Sequence, residues 1–264
     1  MSYVRLQAHQ GVESECPGNT MSSFRAAVEQ GYEMIELDLG VTKDGRFITM
    51  HNETINYAAR NPDGSRIEPE IPISSITYEQ ALQYDFGLRF SEKFRGEKLP
   101  LFDDVLALAR EHNVTLKIDN KIQRFTDGQL TALYALIRAS GAQVMISCWS
   151  LESAERARRE LPDAWISFDG ITDEDFLQKA AQIAGEGRLF VWMPIDKSRA
   201  YWVPEDWFPT PETCAIIKKY AHFCIWALEG PESFRRACAL YAPFAAETSG
   251  EIKPYMARDG GACR

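Results

Sequence analysis

Charged and imidazole side chains recur at the ends of short apolar runs in this chain. One such run ends at His9, and the next ends in Glu36 and Asp38. Side chains two residues apart on a strand point to the same face, so Glu36 and Asp38 should converge, as should Asp119 and Lys121 after a third run. Buried carboxylates repel one another unless a cation lies between them, and Mg²⁺ and Ca²⁺ take oxygen ligands. The spacing therefore predicts a divalent metal site.

Two histidines are expected beside these carboxylates. A turn at residues 43–45 predicts a hairpin after the second strand, in the segment VTKDGRFITMH, and antiparallel pairing would return His51 to Asp38. His9 ends the neighbouring first strand. Two imidazoles beside a metal suit general acid–base catalysis, and Lys121 could neutralise charge on a phosphoryl oxygen. Two further histidines, His112 and His222, are interpreted as helix-dipole partners or surface residues at helix ends rather than as ligands.

The elements that must position these side chains alternate along the chain. Eight short runs rich in Val, Ile, Leu or Phe are typical of buried parallel strands, at 4–8, 33–37, 114–118, 143–148, 164–168, 188–193, 223–227 and 244–246. Stretches with helical periodicity separate them, at 20–30, 102–111, 128–140, 151–160, 173–184, 210–220 and 233–241. Asn19 is expected to cap the first helix. The alternation predicts a (β/α)8 TIM barrel, with an open doubly wound sheet as the alternative.

Two connections are longer than such barrels usually have. The first holds the hairpin insertion and a Pro/Gly/Asn-rich loop at 61–72, and the second, at 194–211, carries four aromatic residues. Long loops after barrel strands usually cover the active face. Equally, the second loop could pack its aromatic side chains on its own base. Because there is no repeat or linker, we expect a single domain over residues 1–264.

Composition limits the range of partners. The 264 residues carry a net charge of -9, so a broad surface for nucleic acid is excluded and phosphate recognition must be local. The amino terminus lacks an apolar signal region, and no run reaches the roughly 18 apolar residues of a membrane span. Six cysteines without a CxxC pair favour free thiols rather than a metal–thiolate site. We therefore expect a cytoplasmic protein.

The motifs of residues 8–51 resemble the glycerophosphodiester phosphodiesterase family. The family pattern runs AHRG, PENT, a helix, ELD, TKDG and a strand ending in HD. This chain has AHQG, PGNT, a predicted helix, ELD, TKDG and a strand ending in HN. Further similarity lies in FGLRFSEKFRGEKLPLFDDVLAL, LKIDNK, MISCWS and CIWAL, whereas residues 173–223 match poorly.

The resemblance implies a (β/α)8 barrel with a bound Mg²⁺ or Ca²⁺ ion. The metal ligands that it implies are Glu36, Asp38 and Asp119, the last in place of a more usual Glu. The catalytic pair that it implies is His9 and His51. The substrate contacts that it implies are Lys121 for the phosphate and Trp226 for the pocket wall.

Three positions depart from the family pattern. Gln10 replaces an arginine and thereby removes a bidentate cation from the phosphate site, although Gln10 stays a candidate substrate contact. Gly18 replaces the glutamate of PENT, so the two losses look compensatory, and Asn52 replaces an aspartate. A missing charged hydrogen bond weakens binding or rate by about one to two orders of magnitude.

Metal-dependent hydrolysis of a small phosphodiester to a phosphomonoester and an alcohol is the leading hypothesis. A weakly active or non-catalytic barrel that binds a phosphodiester or phosphosugar is the second, and a metal-dependent sugar isomerase or aldolase is the third. The residues are compatible with various substrate alcohols, with water or an internal hydroxyl as the nucleophile, and with any oligomeric state.

Overall fold

Short buried strands alternate with helices, and this alternation closes the sheet on itself. The computed structural model describes residues 3–258, in which the strands are β1 Arg5–Ala8, β2 Met34–Leu37, β3 Leu39–Val41, β4 Phe47–Thr49, β5 Thr115–Ile118, β6 Val144–Ser147, β7 Trp165–Asp169, β8 Leu189–Pro194, β9 His222–Trp226 and β10 Ala245–Thr248. Eight of them pair in parallel in the closed order β1-β10-β9-β8-β7-β6-β5-β2. The predicted (β/α)8 barrel is confirmed, and the open sheet is excluded.

Helices lie between the barrel strands. They are α1 Met21–Gln30, α2 Tyr78–Ala81, α3 Phe102–His112, α4 Asp127–Ser140, α5 Leu151–Glu160, α6 Glu174–Ala184, α7 Pro211–Tyr220, α8 Pro231–Tyr241 and α9 Pro254–Arg258. Thr20, not Asn19, caps α1, because its side chain accepts the backbone N–H of Ser23. His222 begins β9, so its predicted place at a helix end is wrong.

The barrel interior changes from apolar to charged along the strands. An apolar layer lies inside the barrel, formed by Met34, Met145, Phe190, Trp192, Cys224 and Ala245. Two residues further along the same strands, the inward positions are occupied by Glu36 on β2, Trp226 on β9 and Glu247 on β10. Because side chains alternate along a strand, Glu36 and Glu247 share the inward face with the apolar layer and lie nearer the carboxyl ends of β2 and β10. Active sites of such barrels form at this end.

The hairpin insertion after β2 has its own small core. Strands β3 and β4 pair antiparallel, with Leu39 opposite Thr49, and this confirms the predicted hairpin. The chain between β4 and α3 packs around a second apolar cluster, formed by Ile48, Met50, Ile55, Ala59, Ile67, Ile73, Ala81, Phe86 and Leu99. Buried Asp85 connects two segments of the insertion, because its carboxylate accepts the backbone N–H groups of Gly87, Leu88 and Gly96.

The state of the cysteines and the character of the helices can be compared with the expectations from composition. In the described part of the chain the cysteines are free thiols, at Cys16, Cys148, Cys214, Cys224 and Cys238, whereas Cys263 lies outside it. Among helices of residues 3–258, none combines the length and the apolar character needed to cross a membrane.

Candidate active site

Three carboxylates converge at the carboxyl end of the barrel. Glu36 and Asp38 lie at the end of β2, and Asp119 follows the neighbouring strand β5. One carboxylate oxygen from each lies within 4.8 Å of the others. Burial, together with the charge of Asp38, raises the pKa of Glu36 well above its ordinary value. A hard divalent cation would relieve this repulsion, so the oxygen donor set fits Mg²⁺ or Ca²⁺.

Asp38 is held in place by two side chains. Asn19 donates from Nδ2 to Oδ2 of Asp38 at 2.9 Å, and Lys121 donates from Nζ to Oδ1. Burial raises the pKa of Asp38. The charges of Lys121 and His51 and the two hydrogen bonds lower this pKa by more than burial raises it, so the net shift is downwards. These hydrogen bonds and positive charges thus compensate the Asp38 carboxylate, which is only 2 % exposed.

Lys121 reaches the site by a different route from the one that strand alternation predicts. Strand β5 ends at Ile118, and residues Asn120–Arg124 form a short 3-10 helix. Asp119 caps this helix by accepting the backbone N–H of Lys121 at 2.9 Å. Asp119 and Lys121 thus do not share a strand face, and the Lys121 ammonium pairs with Asp38 instead.

His9 follows β1 and lies next to the carboxylates. Its Nδ1 is 2.6 Å from Oε1 of Glu13, and its Nε2 is 3.9 Å from Oε2 of Glu36. Burial lowers the pKa of His9, but the hydrogen bond to Glu13 and the charges of Glu36, Glu247 and Glu13 together raise it to about 10. A divalent cation between the carboxylates would cancel part of this attraction.

His51 comes from the insertion. The β3–β4 register places Met50 beside Asp38, whose carbonyl oxygen accepts the Met50 backbone N–H at 3.0 Å. His51 follows directly, is exposed, and acts electrostatically on the Asp38 carboxylate. Local hairpin geometry therefore brings His51 to the same barrel end as His9.

Two cavities meet at His51 and Glu13. One, of about 320 Å³, is also lined by Gln10, Gly18 and Asn52. The other, of about 360 Å³, is lined by the residues His9, Ser198, Arg199, Trp202, Trp226, Ala227, Leu228, Glu247, Thr248 and Ser249 in addition to the shared pair. Both linings mix polar and aromatic side chains, with Tyr57 and Phe90 in the first cavity and Trp202 and Trp226 in the second.

The loop at 194–211 contributes to that wall. Trp202 lies 6.3 Å from Trp226 between ring centroids, and the buried indole N–H of Trp226 has no hydrogen-bond partner within residues 3–258. Trp207 packs instead on Gly170, where a Cβ atom would lie 2.0 Å from its ring. The loop therefore combines both expected roles, with one aromatic residue at the site and another on the barrel rim.

The turn after β1 is tightly constrained. Gln10 has a φ of +51°, and its backbone N–H donates to Oε2 of Glu36 at 3.2 Å. Gly11 follows with a φ of +79°, and a Cβ there would lie 2.5 Å from Oγ of Ser23. Only glycine fits between this turn and α1. The backbone of Gln10 is thus fixed against a candidate metal ligand.

Several charged residues at the site were not identified from the sequence. Lys117 is buried on β5, with its Nζ 3.9 Å from Oδ1 of Asp169 and 5.0 Å from the Trp192 ring. Burial lowers the pKa of Lys117. The negative charges of four carboxylates raise this pKa by more than burial lowers it, so the net shift is upwards; they belong to Asp169, Glu247, Glu36 and Asp119. The sequence did contain a sign of this arrangement, because a lysine inside the apolar run TLKI needs a buried charged partner.

The fold and these side chains define a (β/α)8-barrel protein with an acidic, two-histidine site at the carboxyl end of its strands. The profile of the glycerophosphoryl diester phosphodiesterase family matches residues 9–185, which is more than half of the chain. The chain belongs to this family.

Individual relatives match part of the chain. The glycerophosphodiester phosphodiesterase of Caldanaerobacter subterraneus subsp. tengcongensis is 33 % identical over 114 residues, covering 43 % of this chain and 44 % of that protein. Human glycerophosphodiester phosphodiesterase 1 is 30 % identical over 116 residues, covering 43 % and 33 %. The match thus spans less than half the length of these relatives.

Solved structures match the whole barrel. An Oleispira antarctica phosphodiesterase in complex with the product sn-glycerol-3-phosphate has a TM-score of 0.74 at 13 % identity, covering 97 % of both chains. A glycerophosphodiester phosphodiesterase from Agrobacterium tumefaciens has a TM-score of 0.68 at 16 % identity, covering 94 % of this chain and 97 % of that one. At these identities the likeness shows the fold alone.

Proposed function

We propose that the protein is a phosphoric diester hydrolase that cleaves small glycerophosphodiester-like substrates with the aid of a divalent cation. One observation carries the proposal: oxygens of Glu36, Asp38 and Asp119 lie within 4.8 Å of one another, and Nε2 of His9 lies 3.9 Å from Oε2 of Glu36. Membership of the glycerophosphoryl diester phosphodiesterase family supports it.

Glu36, Asp38 and Asp119 would hold the cation, either Mg²⁺ or Ca²⁺. When bound, such an ion polarises the phosphoryl group and stabilises the negative charge of the transition state. Lys121 lies against Asp38 and can present its ammonium to a non-bridging phosphoryl oxygen.

His9 and His51 would move the protons. One imidazole takes a proton from the attacking water or substrate hydroxyl, and the other gives a proton to the departing alcohol oxygen. The products are a phosphomonoester and an alcohol. The position of His51 between the two cavities supports a diester that lies across it, with one arm towards Gln10 and the other towards Trp226.

Turnover by the purified protein tests this proposal. We expect release of phosphomonoester from glycerophosphodiesters, loss of turnover in EDTA, and recovery with Mg²⁺ or Ca²⁺. His9→Ala and His51→Ala should abolish turnover, whereas His112→Ala, at an exposed helix end, is the matched control. Turnover that persists in EDTA, or in His51→Ala, would contradict the proposal.

The replacements at Gln10 and Gly18 support a second candidate, a barrel that binds phosphodiesters or phosphosugars without cleaving them. Ligand binding by calorimetry with no product after long incubation would favour it over hydrolysis. Activity on non-phosphorylated sugars would favour the isomerase or aldolase hypothesis.

The setting of the protein is part of the proposal. We infer a single domain over residues 1–264 that acts on a small molecule in the cytoplasm. The free thiols of the described residues support a reducing compartment.

A further inference from the structure

A second carboxylate contacts His9 from the side opposite the metal-ligand cluster. Oε1 of Glu13 lies 2.6 Å from Nδ1 of His9 and also accepts the Ser249 hydroxyl at 2.6 Å. Glu13 belongs to the loop after β1, and Ser249 follows β10, the strand paired with β1. The carboxylate is therefore fixed from two neighbouring strands.

The loop that carries Glu13 is itself firmly placed. The backbone N–H of Ser14 donates to the carbonyl of Ser249 at 2.9 Å. Gly250 has a φ of +119°, and a Cβ there would lie 2.4 Å from Oγ of Ser14 and 2.6 Å from Cγ1 of Val12. The two loops pack so closely that Glu13 has little freedom to leave His9.

We propose that Glu13 is a positioning residue that fixes the ring of His9 for the hydrolysis, an inference that rests on the proposed function. With Nδ1 donating to Glu13, Nε2 is the nitrogen that faces Glu36 and the substrate site. A ring flip would lose the charge-assisted hydrogen bond and turn Nε2 away. Glu13 lines both cavities, but its Oε1 is already engaged by His9 and Ser249, so it acts through His9.

The charge state of Glu13 suits this role. Burial raises its pKa, but the hydrogen bond and charge of His9 and the hydrogen bond of Ser249 outweigh burial, so the net shift is downwards. Glu13 is also separate from the three carboxylates whose oxygens converge, which are Glu36, Asp38 and Asp119. We therefore expect its removal to change His9 geometry and not cation binding.

Kinetic variants test the inference. Glu13→Gln keeps an acceptor but no charge, Glu13→Ala keeps neither, and Ser249→Ala frees the carboxylate. We expect kcat to fall by about 10- to 100-fold in Glu13→Ala with little change in KM, and by less in the other two. Glu15→Gln is the matched control, because Glu15 lies two residues along the same loop and pairs with Lys253 at the surface. Unchanged kcat in both Glu13 variants would overturn the inference.

A spectroscopic readout separates this inference from the proposed function. In the wild-type protein with Mg²⁺, we expect a strongly downfield-shifted proton resonance from Nδ1 of His9, which Glu13→Ala abolishes and Glu15→Gln retains. If the wild type shows no turnover, the proposed function fails while this signal still tests the contact. If turnover is present but the Nδ1 signal is the same in Glu13→Ala, the positioning role is refuted.

Discussion

Restoring the arginine and glutamate of the family pattern should reveal coupling between positions 10 and 18. A Cβ at position 18 would lie 2.8 Å from Oε1 and 3.2 Å from Cβ of Gln10, so the two side chains share one space beside the candidate active site. The nearest atom is the mobile end of the Gln10 side chain, and it can move aside. Arginine at 10 would then have a carboxylate partner at 18.

The expected magnitudes follow from this contact. A charged hydrogen bond to phosphate contributes about 1.5–3 kcal/mol, so Gln10→Arg should raise kcat/KM by about 10- to 100-fold. Gly18→Glu alone should lower kcat/KM, because the new carboxylate lies beside Glu13, whose Cβ would be 3.3 Å from a Cβ at position 18. In the double variant the charges compensate, and we expect a coupling energy of about 0.5–3 kcal/mol.

A double-mutant cycle on kcat/KM, at fixed Mg²⁺ and ionic strength, measures this coupling. Gln83→Arg, an exposed change of the same type on the insertion, controls for the added positive charge. Additive effects of the two substitutions, or a gain in Gln83→Arg equal to that in Gln10→Arg, would refute the reasoning.

Two further predictions concern stability. Lys117→Met leaves Asp169, whose side chain is 16 % exposed, without its cation, so we expect a loss of about 3–5 kcal/mol in the free energy of unfolding. We also expect a larger rise of Tm on adding Mg²⁺ than in wild type. Thermal unfolding in EDTA and in Mg²⁺ measures both changes, and equal rises of Tm would contradict this prediction. Asp85→Asn weakens three backbone hydrogen bonds in the insertion, at an expected cost of about 1.5–3 kcal/mol at neutral pH. Burial raises the pKa of Asp85, but those hydrogen bonds lower it by more, so the folded-state pKa lies below the unfolded-state pKa. The stabilisation by Asp85 is therefore present above the unfolded-state pKa and is lost as pH falls through the folded-state pKa. Denaturant unfolding from neutral to acidic pH should show the two proteins converging in acid; a constant difference would contradict this assignment.

The barrel could be predicted because its signals are local. Buried parallel strands read as apolar runs, and the predicted bounds of the barrel strands differ from the observed ones by at most two residues at either end. The hairpin was equally local, since its turn residues lie between β3 and β4. The prediction that Asp119 and Lys121 share a strand face was wrong, because β5 ends before them and a 3-10 helix changes the direction of the chain.

Glu13 could not be assigned from the sequence for a different reason. Its partner Ser249 is 236 residues away, and only closure of the barrel brings β10 beside β1. Lys117, in contrast, gave a local sign, because a lysine within a buried strand needs a partner. The identity of that partner, Asp169 on β7, again depends on the closed barrel.

The altered motif at Gln10 changes charge without disturbing the frame of the site. The contact between this position and Glu36 is made by the backbone N–H of Gln10, so a change of side chain leaves it in place. The next residue, Gly11, fixes the turn by its close approach to Ser23, and Glu13 holds His9 from the same loop. We therefore expect arginine at position 10 to add a cation beside the proposed phosphate site while the turn that orients Glu36 and His9 persists. On the proposed function, we expect the residue at position 10 to change substrate affinity while the proposed pair of His9 and His51 keeps its geometry.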